Sequence, residues 1–336
     1  MPSSTFPAVI SFADKKNSSP VITAKFGDAD DEDFGARMLN AVDVQEIDAN
    51  LYMSKELWLP AGARGVFGGQ IVAQALRAAF ATVGHEFDIH SLHSYFILPG
   101  SVEVPVIYQV QRLRDGRSFA TRFVTASQKG KAIFVSSFSF NKLDISTQLN
   151  HQTEMPEVPP PESLPSDTEL IQKALKQEDL NPKYREYLKL RIEESSPIDV
   201  RKIEITGQTL ISRRWFKTRG QLDTDKRLHA CVVAYASDSG FIGTAARANG
   251  VPSKGIGMLA SLDHSMWFHV PTRADEWLLY DMHSPRTSGG RGVVFGRIYS
   301  RDGTLIATTA QEGIIRLSKE EQEKRNKTLS RDASKL

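Results

Sequence analysis

Asp238 is the residue whose type and place could do chemistry. It follows the apolar run His229-Ala230-Cys231-Val232-Val233-Ala234-Tyr235-Ala236, which reads as a buried helix, and Gly240 supplies a stop just beyond it. A carboxylate in the last helical turn faces the negative end of the helix dipole, which is unfavourable. Such a breach of a local rule marks a functional site or a solvated helix end, and position alone leaves both open. In a functional role it would transfer protons. Other chemistries have no motif to carry them. There is no Gly-x-Ser-x-Gly elbow, no GxxxxGK[ST] loop, no Rossmann glycine fingerprint and no His-x-x-x-His helix. The single cysteine, Cys231, lies mid-helix among apolar residues and reads as core; one cysteine forms no intramolecular disulfide and no two-cysteine metal knuckle.

The elements that must position Asp238 occur twice in the same order. In the first stretch, Gly68-Gly69 opens the apolar helix Gln70 to Phe80. His93-Ser94-Tyr95-Phe96 follows, then strands at Val104 to Leu113, Ser118 to Ser127 and Ala132 to Phe140, with turns at Asp115-Gly116 and Lys129-Gly130. In the second, the helix from His229 is followed by His264-Ser265-Met266-Trp267-Phe268, then strands at Glu276 to Met282, Val293 to Ser300 and Leu305 to Leu317, with turns at Gly289-Gly290 and Asp302-Gly303. This repeat predicts duplication of an α+β unit in which a helix covers one face of an antiparallel sheet. The units are expected at 36–145 and 197–318. Between them, 146–196 is a proline-rich linker with short helices from Asp167 to Leu175 and from Pro182 to Leu190. Residues 1–35 read as a poorly ordered extension, and 319–336 as a flexible polar tail.

Several motifs carry a family resemblance. They are Val66-Phe67-Gly68-Gly69-Gln70, His93 to Phe96 and Leu113 to Phe119 in the first copy. In the second they are Ala234 to Asp238, Ser261 to His269, Glu276 to Tyr280 and Gln311-Glu312-Gly313. From about Met38 to Leu317 the chain resembles the type II acyl-CoA thioesterases. The resemblance implies a double hotdog fold, two copies of a long helix wrapped by an antiparallel sheet, joined into a homo-oligomer. It implies hydrolysis of fatty acyl-CoA to free fatty acid and CoA, with no acyl-enzyme and no metal or redox cofactor. The catalytic group it implies is Asp238, Ser261 and Gln311 holding a water, with Asp238 as base. Backbone N–H groups of Gly68, Gly69 and Gln70 at a helix start are candidates for the oxyanion donors. Arg286 and Arg291, beside a Gly-rich turn, could meet CoA phosphates or line a solvated hairpin. Asp263 is the reserve candidate for the base, sharing a strand face with Ser261 by period two. His93 and His264 read as structural because both copies carry them. Aligning the copies sets Arg77 opposite Asp238, His90 opposite Ser261 and Phe138 near Gln311, so one active site per chain is expected, in the second copy. The rivals are a non-catalytic acyl-CoA binding protein and a hotdog enoyl-CoA hydratase. The intact Asp, Ser and Gln set argues against the first, and the lack of a suitably spaced Asp and His against the second.

Composition agrees with this reading. Net charge is +2 with both signs interleaved, which suggests no nucleic-acid surface. No apolar run approaches the roughly 20 residues of a membrane span, and neither a secretory signal nor a myristoylation site is visible. The closing Ser334-Lys335-Leu336 reads as an address for the peroxisomal import receptor, placing the protein in the peroxisomal matrix.

Overall fold

The computed structural model describes residues 33–142, 149–194, 196–205 and 210–333. The first half comprises α1 (Asp33–Val42), β1 (Val44–Asp48), β2 (Leu51–Ser54), α2 (Gly68–Phe80), β3 (Asp88–Phe96), β4 (Ile107–Asp115), β5 (Phe119–Gln128) and β6 (Lys131–Asn141). A short 3-10 turn, α3 (Asp167–Leu175) and α4 (Pro182–Glu193) follow. The second half holds β7 (Ile198–Ile203), β8 (Ile211–Thr218), α5 (Lys226–Ser237), α6 (Gly243–Ala248) and β9 (Ile256–Ser261). It continues with β10 (Asp263–Phe268), β11 (Leu278–Ser288), β12 (Arg291–Ser300) and β13 (Leu305–Leu317), and α7 (Lys319–Ala333) comes last.

One antiparallel sheet runs through both halves in the order β1-β2-β4-β5-β6-β3-β10-β13-β12-β11-β8-β7, with β9 added beside β13. Read from the β3–β10 seam outward, the two halves list corresponding strands, so a quasi-two-fold axis passes through the seam. Each half wraps a central helix. Every residue of α2 except Gly68 and Arg77 is buried, and α5 is buried almost throughout. Their small residues let the helices lie against each other; a Cβ on Gly69 would collide with the Tyr235 carbonyl. The helices run antiparallel: the start of α2 meets the end of α5, and Arg77 near the end of α2 pairs with Asp225, the N-cap of α5 (3.2 Å).

The linker lies on the outer face of the second half. Met155, Val158 and Leu164 pack on Trp215, Leu279 and Tyr299, and Trp215 Nε1 donates to Pro159 O (2.9 Å). Helix α4 clamps the loop before α2. Its C-cap Glu194 accepts from Ala61 N–H, and Tyr187 sits against Gly62.

Three expectations change. The N-terminal extension does not reach residue 35, because α1 starts at Asp33 and buries Phe34, Met38 and Val42; residues 1–32 lie outside the described residues. The tail to Ala333 is a helix rather than a flexible segment. Ser318 Oγ accepts from Glu321 N–H, and Arg325 pairs with buried Glu321 (2.9 Å) and donates to Asn249 O (2.7 Å), so α7 is tied to the body. Ser334, Lys335 and Leu336 lie outside the described residues. Finally, the two His-Ser words are not equivalent. Across the seam Ser94 pairs with His264, and Ser265 with His93. His264 therefore points inward and is fully buried, whereas His93 points outward and is exposed. A slip of one residue exchanges the faces of a strand.

Candidate active site

Helix α5 carries Asp238 as its C-cap residue, and Gly240 ends the turn at φ +60°. Strands β9 and β13 bring the partners. Ser261, the last residue of β9, pairs with Gly313, which sets Gln311 on the same inward face. Gln311 Nε2 donates to Asp238 Oδ1 (2.7 Å) and to Ser261 Oγ (3.0 Å), and Ser261 Oγ donates to the same Oδ1 (3.2 Å). Both donors thus hold one carboxylate oxygen. The other, Oδ2, faces the start of α2, where a Cβ on Gly68 would stand only 2.7 Å from it. Gln311 is 1% exposed, and its Oε1 is a buried acceptor with no partner among the described residues.

The start of α2, a 13-residue helix whose first amides lack intrahelical acceptors, lies beside this carboxylate. Gln70 belongs to the scaffold instead. Its N–H donates to Phe67 O (3.1 Å), and its side chain accepts from Trp58 N–H (2.8 Å) and donates to Ala41 O (2.9 Å). Phe67, the N-cap residue, packs edge-on against Trp58 and Tyr235, with ring centroids 5.4 and 4.9 Å apart. Phe96 from β3 closes the other side of Gly68.

Around the carboxylate lie groups that sequence reasoning did not assign. Tyr280 OH donates to Ser237 O (3.0 Å), and the Arg214 guanidinium donates to Ser239 O. Arg214 is 8% exposed and lies over the Tyr280 ring at 5.5 Å. One signal was present: Ser212, Arg214 and Phe216 share the inward face of β8, so an arginine occupies a core position. His264 Nε2 lies 2.8 Å from Ser237 Oγ, which donates to Ala234 O (2.8 Å) and so accepts from the ring N–H. Burial pushes His264 down to about 4, against an upward pull from Asp238.

The remaining candidates lie elsewhere. Asp263 is not in the cluster. The chain breaks strand at Leu262, between β9 and β10, so Asp263 loses the face of Ser261 and accepts from Glu312 N–H (2.8 Å); burial raises its pKa. Arg291 pairs with Glu312 (3.0 Å), a neighbour of Gln311 that faces outward, and Arg286 is an exposed residue of β11. Neither is brought against Asp238. Cys231 is fully buried, its thiol pushed up to about 12 by burial.

Among the described residues, the first half has no second copy of the cluster. Ser94 pairs with Ser136 as Met266 pairs with Thr309, so two residues along, Phe138 stands where Gln311 stands. The C-cap of α2 is Ala81 where α5 has Asp238, and Arg77, a turn earlier, is bonded to Asp43 and Asp225.

Comparison with known proteins adds to this geometry. Residues 55–141 match the sequence model of the acyl-CoA thioesterase N-terminal domain, and residues 156–315 that of the C-terminal domain. The chain is 42% identical to mouse acyl-coenzyme A thioesterase 8 over 303 residues, covering 87% of this chain and 94% of the relative. It is 36% identical to acyl-CoA thioesterase 2 of Haemophilus influenzae over 291 residues, 84% of this chain and 97% of the relative. Identity to the peroxisomal acyl-coenzyme A thioester hydrolase 1 of Saccharomyces cerevisiae is 27%, over 76% of this chain and 87% of the relative. Among solved structures, acyl-CoA thioesterase II TesB2 from Mycobacterium marinum superposes with a TM-score of 0.67 at 32% identity, covering 84% of this chain and 99% of that one. A hot dog fold protein from Alicyclobacillus acidocaldarius superposes at 0.64 with 19% identity, over 83% of this chain and 98% of that one, and shares the fold.

Proposed function

The chain belongs to the acyl-CoA thioesterase family and is a thioester hydrolase of double hotdog fold, and from that premise we propose that Asp238, Ser261 and Gln311 activate the water that cleaves a fatty acyl-CoA. The observation that carries this reading is the division of the carboxylate. Oδ1 accepts from both Gln311 and Ser261, so Asp238 is held in one orientation and Oδ2 is presented toward the start of α2. A water at Oδ2 gives up a proton to it while attacking the thioester carbonyl. The developing oxyanion is stabilised by the Gly68 and Gly69 amides at the positive end of α2. Collapse of the tetrahedral intermediate breaks the C–S bond. The proton held by Asp238 passes to the departing thiolate, leaving free acid and CoA with Asp238 again a carboxylate.

Replacing Asp238→Asn keeps the shape and removes the base. Thiol release from a medium-chain acyl-CoA is expected to fall by about 10²–10⁴-fold. Undiminished turnover would remove Asp238 from this role.

A peroxisomal matrix location is supported by Ser334-Lys335-Leu336 and by the name of the yeast relative. Deleting the tripeptide from a fluorescent fusion should make the signal diffuse in cells lacking the native protein; a persistent punctate peroxisomal signal counts against the address. A homo-oligomer fits the outward face of the seam, where Tyr95, Trp267 and Phe295 are exposed.

A further inference from the structure

The C-terminal turn of α5 poses an electrostatic problem that its own helix cannot solve. Asp238 sits among carbonyls that a helix end leaves without intrahelical donors, all at the negative pole of the dipole. Strands β8 and β11 supply what is missing. Tyr280 OH donates to Ser237 O (3.0 Å) and is fixed by Thr309 Oγ1 (2.9 Å). Arg214 donates to Ser239 O and contacts Met282 Sδ (3.5 Å). The carbonyls on both sides of Asp238 are therefore capped from the sheet, one by a phenol and one by a guanidinium. Gly240 belongs to the same device, since a Cβ there would come within 3.0 Å of Arg214 Nη1.

We propose that Arg214 is a positioning residue for Asp238. It locks the turn that presents the carboxylate, and its buried positive charge is attracted to that carboxylate. The inference rests on the reading of Asp238 as the base. Among the described residues, no other charged group bonds to the turn. His264 from β10 is neutral above about pH 4, Tyr280 from β11 is a phenol raised by burial, and Ser261 from β9 and Gln311 from β13 carry no charge. The start of α2 offers amide dipoles only. Burial lowers Arg214 only to about 10, with Arg247 acting against it and Tyr280, Asp167 and Asp238 in its favour, so it remains a cation at neutral pH.

The test is a set of full pH–rate profiles for thiol release from a medium-chain acyl-CoA. Arg214→Met should lower kcat about tenfold or more with KM within about twofold, and move the acid limb of the kcat profile up by about one pH unit. Arg214→Lys keeps the charge and should leave the acid limb in place. Tyr280→Phe removes a neutral donor and should lower kcat without moving the limb. If Arg214→Met does not fold, Arg214→Gln is read in its place, with the same shift expected. An unshifted acid limb in the neutral variant, or an equal shift in the lysine variant, overturns the proposal. Asp238→Asn is run alongside. If it is inactive while the arginine variants match wild type, only the present inference fails; if it is active, the assignment of the base fails.

Discussion

At the scale of single residues, the site depends on how little space surrounds Asp238. Gly68→Ala would place a methyl 2.7 Å from Oδ2 and 3.0 Å from the Phe96 ring, neither of which is a loose side-chain end. We expect kcat for thiol release to fall by about 10²-fold with little change in melting temperature, because only the approach of α2 to the carboxylate is disturbed. His264 gives a pH prediction. Its folded-state value of about 4 lies below its ordinary 6.5, so between those values the unfolded chain binds a proton that the fold rejects. The stability contributed by this residue is therefore full above about pH 6.5 and is lost as the pH falls toward 4. Urea titrations across that range should show a flatter dependence in His264→Asn than in wild type. The place of Asp238 at a helix end was legible because Gly240 stops the helix just beyond it, whereas its role was suggested only by the family resemblance. Arg214 and Tyr280 were not legible, because they reach the same turn from strands distant in sequence.

At the scale of elements, sequence periodicity located what is regular. The helix from Asp167 to Leu175 and the strand from Leu305 to Leu317 have the bounds that their caps and turns imply. Periodicity fails where pairing decides. The two His-Ser words look equivalent in sequence, yet β3 carries an irregularity between Ile89 and Ser91, and the seam register puts one histidine inside and the other outside. Strands β1, β2, β7 and β8 carried no sequence assignment, because β1 and β7 are short edge strands with little buried alternation and β8 buries three consecutive residues. Helix α2 is also held by polar ties. Gln74, fully buried, donates to Ala41 O and Glu56 O (both 2.9 Å) and accepts from Tyr108 OH (2.6 Å). Gln74→Leu would strand the Tyr108 hydroxyl in the core, while Gln70 Nε2 still donates to Ala41 O and Glu56 O, and denaturant unfolding should show a loss of about 1–3 kcal/mol.

At the scale of the molecule, the halves share a sheet and a helix contact, so neither has a complete interior of its own. Polypeptides covering 33–142 or 149–333 alone should fail to give a cooperative unfolding transition, whereas the whole chain should unfold in a single step by fluorescence and circular dichroism; an independently folded half would contradict this. The repeat in the sequence foretold two units but not their dependence on one another, since no residue announces the seam.

The ion pairs of Arg77 with Asp43 and Asp225 mark the other end of the α2–α5 pair, the place the quasi-two-fold axis assigns to a second Asp238. In a dimer of identical units, every substitution lands at both ends at once, so neither end can change without the other. Joining the units in one chain removes that constraint. One end can keep the carboxylate of Asp238 while the other becomes a brace that fixes the helices. The fusion thus divides labour between two ends that symmetry would have kept alike, and it lets selection act on rate at one and on rigidity at the other.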